Sequence, residues 1–267
     1  MCLVLTGGLG YLYANHIEPQ WVEVKHIRLL LAQLPESFAQ YRVVQISDLH
    51  MDYSLNAERL RPIVAMINAQ KPDMVTITGD FANNIARFKQ AIPVFKQLKA
   101  KDGVFGVLGN HDHWGDFAPQ VREILRESGV QELRNQVVTI QREEAQLHIA
   151  GVDDILKGEP DLDRVVNQLP ASGAAILLAH EPDYADLSAT TGRFALQLSG
   201  HTHGGQVSVP LYGPPKVPKM GEKYPVGLYQ IGSMQLYTNR GLGVLPSTRV
   251  RFNARPEITV FTLMPPA

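Results

Sequence analysis

"LSGHTHGGQ", residues 198–206, sets two histidines one residue apart between glycines, directly after an apolar run. The chain holds nine histidines in 267 residues, so two imidazoles this close, with bulky side chains cleared from their flanks, call for a chemical reason. In an extended segment residues i and i+2 project to the same side. His201 and His203 would then face one point, and the glycines would leave room for an ion and a substrate beside them.

Other strands end in the same way. Short β-branched or apolar runs recur at "RVVQIS" (42–47), "MVTIT" (74–78), "GVFGVL" (103–108), "LHIAGV" (147–152), "AAILLA" (174–179), "FALQLS" (194–199), "LYQIG" (228–232), "MQLYTN" (234–239) and "EITVFTL" (257–263). Five of these ends carry polar residues able to bind metal: Asp48 and His50; Asp80; Asn110, His111 and Asp112; His180; and His201 with His203. Asp48 and His50 share the i, i+2 spacing and form a second pincer. A lone Asp-x-His is weak evidence for a metal, but the ordered series, each member after an apolar strand, points to a metal centre. His16, His26, His113 and His148 fall outside the series and read as surface or packing residues.

Between the early strands lie helical stretches at 55–70, with Leu60, Ile63, Val64 and Ile67 on one stripe, at 85–100, and at 118–129, where Gly129 suits a C-cap. Pro93 should kink or split the second. The order, β and α alternating and later mostly β, predicts two sheets face to face with helices outside.

Composition narrows the function. With 45% hydrophobic and 19% charged residues the chain is ordinary globular protein, and residues 21–267 read as one domain without a long linker. Lys plus Arg at 25 against Asp plus Glu at 26 leaves no basic stripe for nucleic acid. The single cysteine, Cys2, rules out an intrachain disulfide and a Cys-rich zinc site, so the ligands must be His, carboxylate or amide. Residues 1–20 open with a stretch that is apolar for about a dozen positions, short of the roughly 18 residues that span a bilayer. It also lacks the basic start of a signal peptide. A docked segment, a peripheral contact with a membrane surface and the stub of a longer anchor are all open readings, as are a membrane-associated or cytoplasmic location and export. Oligomeric state is not legible.

The series Asp-x-His, Gly-Asp, Gly-Asn-His-Asp, strand-terminal His and Gly-His-x-His resembles the calcineurin-like metallophosphoesterase superfamily, from about Tyr41 to the C-terminal strand. "LSGHTHGGQV", "LAHEPD", "TNRGLG" and "RPEITVFTL" resemble its bacterial branch of membrane-associated or exported phosphodiesterases, similar in turn to enzymes acting on UDP-2,3-diacylglucosamine. The resemblance implies an α/β (α+β) fold, a four-layer αββα sandwich of two mixed sheets. It further implies that Asp48, His50 and His203 hold one metal, Asn110, His180 and His201 a second, and Asp80 both. Mixed nitrogen and oxygen donors without thiolate suit Mn²⁺ first, with Fe or Zn²⁺ as alternatives. The two cations would activate hydroxide for attack on phosphorus. His111, outside the implied ligand set, is left for the substrate as a catalytic residue, and Asp112 would orient it or cap a nearby helix.

Two departures from the phosphoprotein-phosphatase pattern matter. Asn83 stands where that branch has the Asp behind the catalytic histidine, and Leu108 where it has an arginine that clamps a dianionic phosphate. A phosphodiester or pyrophosphate, a phosphate ester with one charge per phosphoryl, fits such a site, including a lipid-linked or UDP-diacylglucosamine-like one. A nuclease or cyclic-nucleotide phosphodiesterase is the alternative, and a non-catalytic scaffold a further one. The Pro-, Gly- and Lys-rich stretch 209–227 reads as a long loop that would bring Lys216, Lys219, Lys223 and Tyr224 to the substrate, with Asn239 and Arg240 contributing from "NRGLG".

Overall fold

The computed structural model describes residues 8–245 and 248–266. Twelve strands among them form two six-stranded sheets. The first contains β1 (Glu23–Leu30), β2 (Tyr41–Ile46), β3 (Met74–Thr78), β4 (Val104–Val107), β5 (Gln131–Glu132) and β12 (Glu257–Met264), in the order β1-β12-β2-β3-β4-β5. The second contains β6 (Gln136–Arg142), β7 (Ala145–Gly151), β8 (Ala174–Leu178), β9 (Leu196–Ser199), β10 (Gly227–Ile231) and β11 (Met234–Thr238), in the order β10-β11-β9-β8-β7-β6. Both sheets are mixed: β2 to β5 run parallel, as do β7 to β9, whereas β12 opposes β2 and β6 opposes β7.

Strand alternation builds three apolar layers. Val44, Val75 and Val260 face one way from the first sheet, onto helices α1 (Ala57–Ala69), α2 (Ile85–Gln90), α3 (Ile92–Phe95) and α4 (Ala118–Ser128). Val43, Phe105 and Phe261 face the other way and meet Ile149, Ile176 and Leu198 between the sheets. Ala150, Leu177 and Leu236 cover the far side of the second sheet, against Val165 of α5 (Leu162–Gln168) and Ala185 of α6 (Ala185–Ser188). The result is the αββα sandwich. All four residues of the α1 stripe are buried, and Gly129 closes α4 with φ 78°. The stretch at 85–100 splits as Pro93 requires, with the proline in the first turn of α3, where no intrahelical N–H is needed.

Sequence patterning passed over β1, β5, β6, α5 and α6. The N-terminal segment is helical from residue 8 to 20, and residues 1–7 lie outside the described residues. It is tied down by polar contacts, Arg251 N–H to the Ala14 carbonyl at 2.9 Å and Ala254 N–H to Glu18 Oε1 at 2.6 Å, while Leu9, Tyr11, Leu12 and Ile17 stay exposed. No helix among the described residues is long and apolar enough to cross a membrane.

Phe261, fully buried between the sheets and edge-on to Tyr237, tests this core. Phe261→Ala should cost about 3–5 kcal/mol, read as a shifted urea midpoint at unchanged slope.

Candidate metal centre

The carboxyl ends of parallel strands converge because the two sheets are joined there. Gln45 Nε2 donates to the Ser199 carbonyl at 2.9 Å, and the His201 N–H reaches Asp48 Oδ1 and Oδ2 at 3.0 Å each. Ligands in open α/β sheets gather at such edges. The implied pincers do not form as extended pairs. Asp48, His50, Asp80, His201 and His203 have φ of 49°, 45°, 53°, 71° and 53°, a left-handed backbone uncommon for residues with a Cβ. Strands β2 and β9 stop at Ile46 and Ser199, before either pair, so the i, i+2 rule does not apply. The tight turns instead send His201 and His203 to different neighbours.

His203 Nε2 lies 2.9 Å from His50 Nε2 and 3.3 Å from Asp48 Oδ1. His201 Nδ1 lies 3.3 Å from His180 Nε2. Asp80 Oδ2 faces both sets, 3.4 Å from His50 Nε2 and 3.3 Å from His180 Nε2. Asn110 Oδ1 is buried with no hydrogen-bond partner among the described residues, an orphaned acceptor of the kind a cation would satisfy. The donor set of imidazole, carboxylate and amide fits a first-row divalent metal. Three outer contacts aim rings inward by taking up the other nitrogen: His180 Nδ1 donates to the Thr78 carbonyl at 2.7 Å, His201 Nε2 to the Lys219 carbonyl at 2.9 Å, and His50 Nδ1 to Asn83 Oδ1 at 3.0 Å.

Burial pushes His50 and His201 down to about 4 and holds His203 well below the usual imidazole range, so these rings are neutral donors at neutral pH. Burial pushes Asp48 up to about 7. For Asp80 burial acts upward, but the facing His180 overrides it and holds the carboxyl well below its ordinary value; Asp80 in turn overrides burial at His180 and holds that ring well above.

His111 stacks on Trp114 at 3.8 Å, its Nδ1 donates to Asn83 Oδ1 at 3.2 Å, and its N–H donates to Asp80 Oδ1 at 2.8 Å. Among the described residues Asp112 makes no side-chain hydrogen bond to His111 or to a helix end. Its fully buried carboxylate accepts from the N–H groups of Phe81, Ala82 and Gly109 at 2.8, 3.1 and 3.0 Å and so clamps the β3 turn to the β4 turn. Lys223 and Tyr224 are engaged by Asp186, Asn239 bonds Thr259 at 2.8 Å, and Arg240 pairs with Glu257 and Glu23 at 2.5 Å each. These four polar groups are used inside the protein. Lys219 contributes its carbonyl, and Lys216 lines a cavity beside the His201 loop.

Sequence reasoning missed Glu181, which groups with His180 and His201, Trp114 and the fully buried Arg251, whose Nη2 lies 3.3 Å from His203 Nδ1. Adjacency to His180 and His111 could have flagged the first two; nothing local marks Arg251.

Two mixed sheets with imidazoles and carboxylates gathered at their carboxyl edge define a metallophosphoesterase, a hydrolase of phosphate esters. Residues 41–205 match the family model for calcineurin-like phosphoesterases, and the chain belongs to that family. The metallophosphoesterase YkuE of Bacillus subtilis is 39% identical over 265 residues, covering 97% of this chain and 91% of that protein. The phosphodiesterase YaeI of Escherichia coli is 30% identical over 269 residues, covering 98% and 95%. The fold is also similar to the crystal structure of TT1561 of Thermus thermophilus, with a TM-score of 0.51 at 12% identity over 75% of this chain and 89% of that one.

A Cβ on Gly109 would lie 2.4 Å from Asp80 Oδ1 and 2.7 Å from His180 Nε2. Gly109→Ala should therefore lose most bound metal by elemental analysis while its far-UV circular dichroism is unchanged. Metal must also displace protons from Asp48 and His180, whose folded-state values lie above the ordinary ones. Competition strengthens as pH falls through about 7, so manganese content after dialysis should be lower at about pH 5.5 than at about pH 8. Equal content at both would contradict the proton assignment.

Proposed function

We propose that the protein is a dinuclear metal-dependent phosphodiesterase or pyrophosphatase, with residues 21–267 as one catalytic domain, acting through metal-activated hydroxide on a lipid-linked phosphate ester. The observation that carries this reading is the single Asp80 carboxylate oxygen facing two separate imidazole sets at 3.4 and 3.3 Å. Asp48, His50 and His203 would hold one cation, Asn110, His180 and His201 the other, and Asp80 both. Mn²⁺ is the first choice for this donor set, with Fe or Zn²⁺ behind it. When bound, such a pair supplies Lewis-acid activation of water and of the phosphoryl oxygens.

His111 is the chain's own catalytic group. Burial lowers its pKa, so it is neutral in the free chain. Its Nδ1 is committed to Asn83, and an amide oxygen, unlike a carboxylate, does not hold a proton on the ring through charge. Approach of an anionic phosphoryl favours proton uptake at Nε2, from which the ring donates to the phosphoryl or to the leaving oxygen. Leu108 is buried in the core and offers no cation for a second phosphate charge, which supports a diester over a monoester. The name of the relative YaeI supports the same choice. The exposed Leu9, Tyr11, Leu12 and Ile17 support a substrate and a location at a membrane surface, with Lys216 on the substrate side.

Manganese-loaded protein should hydrolyse bis-p-nitrophenyl phosphate; absence of turnover with this and other phosphate esters would sink the reading. His111→Ala should keep both metals and lose about 10²–10³ in rate. Asp80→Ala should lose both metals and His203→Ala mainly one, by elemental analysis.

A further inference from the structure

The loop that carries His201 and His203 has a second face. Thr202, Gly205, Gln206 and Val207 form one wall of a cavity of about 280 Å³, closed by residues 215–218 on one side and by Leu245 and Thr248 on the other. Gly205, with φ 76°, permits this closure, since a Cβ there would lie 2.1 Å from Pro214 Cβ. The lining is apolar where it is free to act: Val207, Pro215, Val217, Pro218 and Leu245.

The uncharged polar side chains in the lining already have partners. Gln206 donates to Thr248 and accepts from the Leu245 N–H at 2.8 Å. Thr202 Oγ1 donates to the Pro225 carbonyl at 2.6 Å and accepts from the Gly204 N–H at 3.2 Å. A sugar or nucleobase seated here would leave its own donors and acceptors unpaired, at a cost an alkyl chain does not meet. The volume is just below the roughly 300–1,000 Å³ of pockets that enclose whole ligands. It suits one arm of a substrate whose phosphoryl group sits at the neighbouring histidines. Lys216, the only cation among the described lining residues, suits an anionic group at the mouth.

We infer that this cavity is an alkyl-chain subsite, and that the preferred substrates are phosphodiesters carrying a hydrocarbon arm. The inference rests on the phosphodiesterase reading and names its substrate class. The occupant is the substrate's own chain, because the cavity and the candidate ligands share one loop.

The test is a series of p-nitrophenyl alkyl phosphates from methyl to octyl, on manganese-loaded protein. The expected result is a kcat/KM that climbs by up to about fourfold per methylene until the cavity fills, for an octyl to methyl ratio of at least about tenfold. In Val217→Asp, which places a carboxylate in the lining, the ratio should fall toward one. Calorimetric titration with octyl phosphate and methyl phosphate reads the same preference without turnover. Tighter binding of octyl phosphate, lost in Val217→Asp, upholds the subsite even if no ester is cleaved, in which case only the phosphodiesterase reading fails. A flat chain-length series with equal binding of the two phosphates overturns the subsite while leaving that reading in place, and so does an octyl preference unchanged by Val217→Asp. Should Val217→Asp not fold, the wild-type series and titration decide alone.

Discussion

The structure turns on the Asp80 carboxylate, 1% exposed and pressed between His50 and His180. A buried anion without countercharge is strongly unfavourable, and taking away the partner of one typically costs about 3–5 kcal/mol. Here the compensation comes from several strand ends at once. His180 belongs to the second sheet, His50 follows β2 of the first, and the His111 N–H from the β4 turn takes the other oxygen at 2.8 Å. The two sheets are thus locked at the edge where chemistry is done, and the apolar layer between them is free to be simple packing. Asp112 performs the complementary task from below, clamping the β3 and β4 turns through backbone N–H groups.

Outer contacts divide the imidazoles. His180 and His201 each donate to a backbone carbonyl and His50 to an amide oxygen, the arrangement that fixes a ring for metal. His203 differs, because its Nδ1 faces a cation in place of an acceptor. Arg251 is held by the carbonyls of Gly243, Ala254, Arg240 and Gly241, and presents Nη2 to His203 Nδ1. Burial pulls Arg251 down to about 9, which still leaves it charged at neutral pH. Together with burial and the neighbouring His50, that fixed charge disfavours a second proton on His203. The residues from 240 to 254 therefore reach the metal edge through a cation rather than through a ligand.

Much of this was legible in the residues. Strands buried on both faces, such as β3 "MVTIT" and β8 "AAILL", read directly as apolar runs, and each is followed two residues on by a residue of the site, Asp80 or His180. Strands half in solvent did not: β1 "EVKHIRLL" and β6 "QVVTIQR" mix charge and exposure so that no clean period of two survives. That Asp48, His50, Asp80, Asn110, His111, Asp112, His180, His201 and His203 stand at strand ends followed from the apolar runs; the choice of seven of them as ligands came with the family resemblance. Their division into two sets likewise came with the resemblance and not from periodicity, since it depends on left-handed turns that no hydrophobic period records. Asn239 and Arg240 have a role that the sequence did not suggest. Read from the motif as substrate contacts, they also bond inside the protein, the first to Thr259 and the second to Glu257 and Glu23, and so tie the β11 turn to β12 and β1.

The glycines of "GHTHGGQ" separate two demands that look alike in sequence. Gly200 is bare because a Cβ there would strike Ser47 Oγ at 1.8 Å and Asp48 Oδ2 at 2.3 Å, so it serves the junction of the sheets. Gly204 lies against the Arg240 stem and Gly205 against Pro214. One short loop thus contributes both to a polar cluster and to a proline-walled apolar cavity. Prolines 215 and 218 reduce the freedom of that wall before anything binds, which lowers the ordering cost of seating a flexible chain. Such a loop couples recognition to chemistry by position alone: an arm that fills the cavity fixes how far its phosphoryl group can stand from His201 and His203.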